Sequence, residues 1–253
     1  MASISACIIS FNEERKIEAC LQSLQGVVDE IIIVDSLSQD ETINISKRYT
    51  DKIFHQAFLG HIEQKNFAVS KAKHTWILAL DCDERLSPEL RKSILSIKDS
   101  LNDYDAYKMP RKTYYIYRWL EHCWYPDRKI RLFNKERALW AGVNPHDRVE
   151  VDSNRINLLN GDIYHYSFDS ISAHIQTLDK FSEIGAEQLI KKGKQYGVIS
   201  AFSHASWTFI KIYFLRRGFL DGFAGIVVSV LSFVHVFSKY SKVVCYYKSK
   251  NKS

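Results

Sequence analysis

The segment Trp76-Ile-Leu-Ala-Leu-Asp-Cys-Asp-Glu84 is an apolar run that ends at two aspartates in Asp-x-Asp spacing, with a glutamate directly after them. An apolar run bounded by charge is typical of a strand buried on both faces, and ligands of open parallel sheets bind beyond the carboxyl ends of such strands. Asp81 and Asp83 would there suit a hard divalent cation beside a phosphate. The alternative is an ordinary turn into a helix that begins at residues 87–89.

The first hundred residues repeat a strand-then-helix pattern. Apolar runs at 4–10, 30–35, 52–55 and 76–81 alternate with helical patterns after residue 12, from 40, at 62–73 and at 87–97. This alternation predicts an α/β fold with a mostly parallel central sheet, covered by helices through right-handed crossovers. Asp35 and Asp81 each end a predicted strand, so we expect both carboxylates at one edge of the sheet, where a nucleotide could lie between them.

The rest of the chain has a different texture. Strand patterns at 107–117, 129–133, 149–151 and 163–166 are separated by aromatic loops, and a helical pattern follows at 170–192. We interpret this half as a mixed sheet with site-forming loops, followed by a helix that packs back on the body. The aromatic loop is rich in tyrosine, tryptophan and basic side chains around Trp119, which suits either binding of a phosphorylated sugar or a simple cover for the core.

Composition indicates an ordinary folded protein. The 253 residues are 46% hydrophobic and 25% charged, which excludes a disordered chain. Five widely spaced cysteines indicate neither a disulfide framework nor a zinc site, so a reducing cytoplasm fits best. We predict no cleavable signal peptide, because the apolar stretch near the start is short and lacks a basic lead-in.

The tail combines apolar and basic residues. Residues 219–237 are long enough to span a bilayer, but they include Asp221, His235 and several small residues, with Arg216 and Arg217 before them. We therefore predict an in-plane amphipathic hairpin on an anionic leaflet, with a core helix pair as the alternative. Nucleic acid is not an expected partner, because the positive charge accompanies apolar segments instead of forming one groove-facing helix.

Three motifs carry a resemblance to a known family. They are Ile8-Ile-Ser-Phe-Asn12, Val34-Asp-Ser-Leu-Ser-Gln-Asp-Glu-Thr42 and Leu80-Asp-Cys-Asp-Glu84, in that order. Together they resemble family 2 glycosyltransferases, which have a GT-A nucleotide-sugar-binding fold. Three later segments are similar to the lipopolysaccharide-core branch, whose β-1,4-glucosyltransferases act on inner-core heptose, namely residues 131–133, 142–147 and 213–222.

The resemblance implies a domain plan and an activity. Residues 1–168 would form the GT-A domain, with a nucleotide-sugar-binding half (1–100) and an acceptor half (101–168), and residues 169–253 a helical, membrane-associated extension. The implied activity is inverting transfer of a hexose, glucose from UDP-glucose, onto a lipopolysaccharide inner-core heptose. The alternative is another nucleotide sugar or another lipid-linked or surface glycan. The implied location is the cytoplasmic face of the inner membrane, by peripheral or monotopic contact.

The resemblance also assigns donor-site roles. Asp83 would bind Mg²⁺ or Mn²⁺, and Asp81 the same ion or the donor ribose. Asp35, with Ser10 and Asn12, would hold the uracil or ribose, although Ser36 stands where many members have a second acid. Two basic residues would contact phosphate. They are Lys65, for which a solvated helix surface is the alternative, and Arg131, for which an ordinary edge strand is the alternative.

Inversion needs a general base that takes the proton of the attacking acceptor hydroxyl. The resembled branch has a His-Glu pair where this chain has His146-Asp147. The implied base is therefore Asp147, one methylene shorter. His146 would orient it or contact phosphate, and a purely structural histidine is the alternative. Glu150, at the start of the next predicted strand, is the rival base.

Overall fold

The computed structural model describes residues 2–144 and 146–250, with His146 described by its backbone alone. The chain forms two compact units. Unit 1 comprises Met1–Arg111 and Asp127–His165, and unit 2 comprises Lys112–Pro126 and Tyr166–Ser253.

Unit 1 begins with alternating strands and helices. In chain order these are β1 (Ile4–Ser10), α1 (Ile17–Leu24), β2 (Glu30–Asp35), α2 (Thr42–Ser46), β3 (Ile53–His55), α3 (His61–Lys71) and β4 (Trp76–Asp81). The four strands are parallel in the order β3-β2-β1-β4. The predicted α/β class and its parallel half are thus confirmed. The bounds of α2, α3 and α4 differ from the prediction by one or two residues, whereas α1, predicted to begin after residue 12, begins at Ile17.

The remaining elements of unit 1 make the sheet mixed. The sequence pattern does not predict β5, and the strand predicted at 149–151 begins earlier, at His146. The elements are β5 (Glu84–Leu86), α4 (Pro88–Ser96), a 3₁₀ turn (Leu101–Asp103), β6 (Ala106–Tyr115), β8 (Asp127–Asn134), β9 (Ala138–Val143), β10 (His146–Val151), β11 (Ile156–Leu158) and β12 (Ile163–Phe168), with β7 (Arg118–Trp119) in unit 2.

Strand β8 continues the sheet antiparallel to β4, and β6, β12 and β5 follow in that order. Strands β6 and β12 each run on from unit 1 into unit 2. Strands β9 and β10 form a separate antiparallel hairpin.

The period-two alternation of the strands sends neighbouring side chains to two different cores. On β4, Leu78 and Leu80 belong to the core that α1 and α4 cover, whereas Ile77 and Ala79 belong to the core against α3. Both faces of the parallel half are therefore buried, which explains why its strands are apolar throughout.

Unit 2 is mainly helical. It contains α5 (Ile171–Lys191), α6 (Val198–Ile210), a π-helical turn (Lys211–Leu215), a 3₁₀ turn (Gly218–Asp221) and α7 (Gly222–Lys250). The stretch Gly218–Lys250 is the one segment among the described residues that is long and apolar enough, by length and composition, to cross a bilayer.

A buried carboxylate ties this helical region to the loop at residues 120–123. The side chain of Asp221 is fully buried, and its oxygens accept hydrogen bonds from the backbone N–H groups of Glu121 (2.9 Å), His122 (3.1 Å) and Cys123 (2.9 Å). Burial alone would raise the pKa of Asp221, but the hydrogen bonds from Cys123, Glu121 and His122 lower it overall.

We predict that Asp221→Asn destabilises the protein at neutral pH. Because the folded pKa lies below that of an unfolded aspartate (about 3.9), the charged group stabilises the fold above that pH, and this stability is lost as pH falls through the folded pKa. In urea unfolding at pH 7 we expect a loss of about 2 kcal/mol or more, which shrinks below pH about 4. The exposed Asp152→Asn is the control, and equal effects of both variants would contradict the assignment.

Candidate functional site

A buried lysine joins two carboxylates at the end of β4. Lys65 Nζ lies 3.0 Å from Asp81 Oδ1 and 2.8 Å from Asp147 Oδ2. The side chains of Lys65 and Asp147 are only 10% and 13% exposed, so this is not the solvated surface lysine that was the alternative from sequence. The contact brings the candidate base to the strand end that carries the Asp-x-Asp motif.

A second cation lies on the other side of Asp81. Arg131 Nη2 contacts Asp81 Oδ2 and Glu84 Oε1, each at 2.8 Å. Glu84 is fully buried and also accepts from Arg111 Nη1 at 3.2 Å, and Arg111 in turn contacts Asp127 at 2.7 Å. Arg131 is therefore a buried member of a charge network and not an ordinary edge-strand residue.

The network shifts the pKa values of its members in opposite directions. Burial alone would raise the pKa of Asp81, but Lys65 and Arg131 hold it well below the usual range. Burial alone would lower the pKa of Arg131, but Glu84 and Asp81 raise it above its usual range. Both groups therefore remain charged at neutral pH.

Strand parity explains why these side chains meet. Asp81 shares the parity of Ile77 and Ala79 on β4, which face α3. Arg131 shares the parity of the α3-facing Phe133 on β8, and Asp147 that of Val149 on β10. Glu150 has the opposite parity, is half exposed, and pairs with its neighbour Arg148.

Helix α3 also holds the hairpin that carries Asp147. The Asn66 amide donates to the carbonyl of Trp140 (2.8 Å) and accepts from its backbone N–H (3.1 Å). Lys65 Nζ then lies 4.3 Å from the centre of the Trp140 ring, and the Arg131 guanidinium lies 5.4 Å from it. Asn66 thereby holds strand β9 against α3.

The start of α3 is joined to the turn before Asp147. Asn144 Oδ1 accepts from the Ile62 backbone N–H at 3.0 Å, and its amide donates to Glu63 Oε2 at 2.8 Å. Gly60 precedes the helix with φ of +138°, and a Cβ there would lie 2.4 Å from Asn144 Nδ2. A glycine is therefore required for this close approach.

Asp83 lies apart from the network, in the turn between β4 and β5. Its Oδ2 is 3.3 Å from His165 Nε2, because β12 pairs with β5 so that His165 stands opposite Glu84. Sequence reasoning did not find His165, which is 82 positions from Asp83. Among the described residues, no group of three or more histidine, cysteine or acidic side chains could hold a metal ion unaided.

The remaining predicted donor residues form a second group at the ends of β1 and β2. Ser10 and Asp35 stand opposite each other in register, and Ser10 Oγ donates to Asp35 Oδ1 at 2.9 Å. Asp35 also accepts from the backbone and hydroxyl of Ser38 (2.8 and 2.5 Å), and Ser38 Oγ accepts from the Asn12 backbone N–H. Ser10, Asn12 and Asp35 thus share one polar cluster.

The enclosed space in this region is small. A cavity of about 10 Å³ is lined by Lys65, Asp81, Arg131 and Trp140 with apolar neighbours, which is room for one water at most. A ligand larger than one water molecule would therefore have to bind outside this cavity. The predicted residue His146 cannot be assigned a position there, because its side chain lies outside what the structure describes.

Comparisons with known proteins point to one family. The model of "Glycosyl transferase family 2" matches residues 5–151, more than half of the chain. An uncharacterized glycosyltransferase of Rickettsia typhi is 36% identical over 242 residues, covering 91% of this chain and 83% of that protein. The lipopolysaccharide core biosynthesis glycosyltransferase LpsC of Rhizobium meliloti is 25% identical, covering 95% of this chain and 91% of that protein.

Among solved structures, residues 1–349 of TarS from S. aureus resemble this chain with a TM-score of 0.49. The sequences are 14% identical, and the match covers 98% of this chain and 92% of that chain.

We predict that Arg131→Met destabilises the fold strongly. Removing the guanidinium leaves Asp81 and the buried Glu84 without their shared cation, and breaking a buried ion pair from one side costs about 3–5 kcal/mol. The matched control on the same strand is Arg128→Met, which removes an exposed arginine and should change stability by about 0.5 kcal/mol or less. Urea unfolding measures both, and similar losses in the two variants would refute the role of the network.

Proposed function

The chain belongs to glycosyl transferase family 2, and it has the GT-A fold class expected from its sequence. We propose the following donor, acceptor and stereochemistry for its transfer reaction. The proposed reaction moves glucose from UDP-glucose, with inversion, onto an inner-core heptose of lipopolysaccharide. It would take place at the cytoplasmic face of the inner membrane, with residues 1–168 as the transferring domain and 169–253 as the membrane-associated extension.

The observation that carries this proposal is the link from Asp147 through Lys65 to Asp81. It joins the candidate base to the strand end where the family resemblance puts the donor. Distant similarity to LpsC, whose name refers to lipopolysaccharide core biosynthesis, supports this acceptor class.

The residues present fit a divalent ion. Asp83 and His165 offer an oxygen and a nitrogen 3.3 Å apart, and both side chains are partly exposed. Mg²⁺ and Mn²⁺ suit such a site, because hard ions of this kind are held by few protein ligands together with substrate phosphates and water. When bound, the ion would neutralise charge on the leaving diphosphate as a Lewis acid.

The protein's own groups have complementary roles in the proposal. Ser10, Asn12 and Asp35 would bind the uridine from the ends of β1 and β2. Lys65 and Arg131 would bring positive charge towards the diphosphate, with Asp81 fixing both cations and lying near the donor ribose. Asp147 would accept the proton of the attacking acceptor hydroxyl, with His146 beside it in the chain.

Of the two candidate bases, the geometry favours Asp147. Its side chain faces α3 and the network, whereas Glu150 faces the other way and is engaged by Arg148. A base must reach the reacting hydroxyl, and Asp147 lies on the face of β10 that contacts Lys65, which supports its assignment.

The direct test is UDP release from a panel of UDP-sugars by the full chain, with truncated-core lipopolysaccharide as acceptor. We expect release from UDP-glucose that requires both the acceptor and Mg²⁺ or Mn²⁺. Acceptor-dependent release from a different UDP-sugar would overturn the donor assignment. Release of UDP that needs no divalent ion would overturn the metal assignment. No release of UDP from any sugar of the panel would overturn the proposed reaction.

We predict that Asp147→Asn lowers kcat by about 10²–10⁴-fold, because general base catalysis contributes about that much. Binding of UDP should change little, since the variant removes a proton acceptor and not a donor contact. The matched control is Glu150→Gln, which should transfer at close to the normal rate. If the glutamine variant loses transfer and the asparagine variant keeps it, Glu150 is the base.

A further inference from the structure

The turn between α6 and α7 exposes an unusual number of large apolar side chains. We call residues 214–223 the tip. Two exposed arginines, Arg216 and Arg217, lie within it. Its exposed apolar members are Phe214, Leu215, Phe219, Leu220 and Phe223, the last of them 69% exposed.

The apolar surface continues from the tip along one face of α7. Phe223, Ile226, Val230 and Val234 are all exposed and follow helical spacing, whereas Ala224 and Val228 on the other face are buried. This stripe covers 11 residue steps, about 16 Å of helix, parallel to the helix axis. An apolar stripe along one side suits a helix that lies in the plane of a bilayer surface.

The far half of α7 is unsuited to crossing a bilayer. Lys242 contacts Asp179 (2.9 Å) and Glu183 (2.7 Å) of α5, so the two helices lie side by side. Helix α5 carries further charged side chains, including Lys180, Glu187 and Lys191. A lipid-embedded α7 would take these charges into hydrocarbon, where each is costly.

The buried side of the tip is hydrogen-bonded to the aromatic loop of unit 2 at residues 121–123. Asp221 accepts three backbone hydrogen bonds from residues 121–123, and Arg216 Nη1 donates to the Cys123 carbonyl at 3.4 Å. A Cβ on Gly218 would lie 3.2 Å from Cys123 Cβ, so the backbone approaches the loop closely. Leu120 and Cys123 are buried in the same cluster as Ile212.

The loop at residues 121–123 follows Trp119, which is one of three aromatic rings that contact one another. Trp119 has centroid distances of 5.1 Å to Tyr114 and 5.5 Å to Tyr166, and all three rings are partly exposed. Aromatic faces of this kind stack well on sugar rings. Unit 2 thus carries both an apolar, basic tip and an aromatic surface.

We propose that the tip inserts into the surface of an anionic lipid bilayer and thereby holds the Tyr114–Trp119–Tyr166 rings at the bilayer surface. The membrane contact follows from the tip alone. In this proposal the rings receive the sugar of a lipid-anchored acceptor, and that role rests on the proposed function. The occupant is a lipid surface because exposed apolar side chains lie on both sides of two adjacent arginines, which attract anionic headgroups.

The test is cosedimentation of the full chain with vesicles of phosphatidylglycerol and phosphatidylethanolamine, compared with vesicles of phosphatidylcholine alone. We expect preferential binding to the anionic vesicles. Leu220→Ser combined with Phe223→Ser should weaken it by about tenfold or more, because two buried apolar side chains are lost. Arg217→Gln should weaken it by about fivefold and reduce its salt dependence, since one basic residue near the surface contributes about 1 kcal/mol.

The matched control is Leu139→Ser combined with Leu158→Ser, which removes two exposed leucines of unit 1 and should leave vesicle binding within about twofold. Equal binding by the tip variant and the wild type would overturn the proposal. So would a wild-type dimer that the tip variant converts to a monomer without a change in vesicle binding, because the tip would then contact a second copy.

A second readout separates this proposal from the proposed function. With delipidated core oligosaccharide as acceptor, the tip variant should transfer like the wild type, whereas with lipopolysaccharide in vesicles it should be slower by about the loss in binding. Equal rates on both acceptors would overturn the link between tip and acceptor. Absence of transfer by the wild type would refute the proposed function and leave the vesicle result to decide the membrane contact.

Discussion

The structure depends on how a buried glutamate is neutralised at the start of β5, three residues after the end of β4. Glu84 is fully buried, and such a carboxylate is tolerated only with cations and hydrogen bonds around it. Arg131 and Arg111 supply them from two neighbouring strands, and Arg131 also contacts Asp81. The contacts of Arg131 thus join β8 to the end of β4 and to Glu84. They also determine the charge that a bound donor would meet.

The same network gives the carboxylates of the Asp-x-Asp motif different surroundings. Asp81 is held between Lys65 and Arg131, so its charge is already balanced by protein groups. Asp83 Oδ2 instead lies 3.3 Å from His165 Nε2. In the proposed reaction this difference assigns the ion to Asp83, and Lys65 connects the donor end of β4 to Asp147. Lys65 and Arg131 also both lie close to the Trp140 ring, at 4.3 Å and 5.4 Å from its centre.

Much of this arrangement could be predicted from sequence, because it follows from local patterns. The alternation of apolar strands and helices predicted the parallel half, and acid-terminated strands put Asp35 and Asp81 at one edge. Contacts between segments that are distant in the chain could not be predicted from sequence. Strand β5 has only three residues, so neither its pairing with β12 nor the approach of His165 has a local signal. The burial of Lys65 was equally hidden, because it depends on the docking of the β9–β10 hairpin.

The most direct test of the account is calorimetric titration of UDP into the full chain, in Mn²⁺ and in EDTA, for the wild type and for Asp83→Asn. Asp127→Asn, which alters a partner of Arg111 away from the proposed ion site, serves as the control. The account predicts that EDTA and the Asp83 substitution each weaken UDP binding at least tenfold. The variant in EDTA should bind UDP no more weakly than the variant in Mn²⁺. Equal affinity under all four conditions would contradict the assignment of the ion to Asp83, and with it the division of roles within the motif.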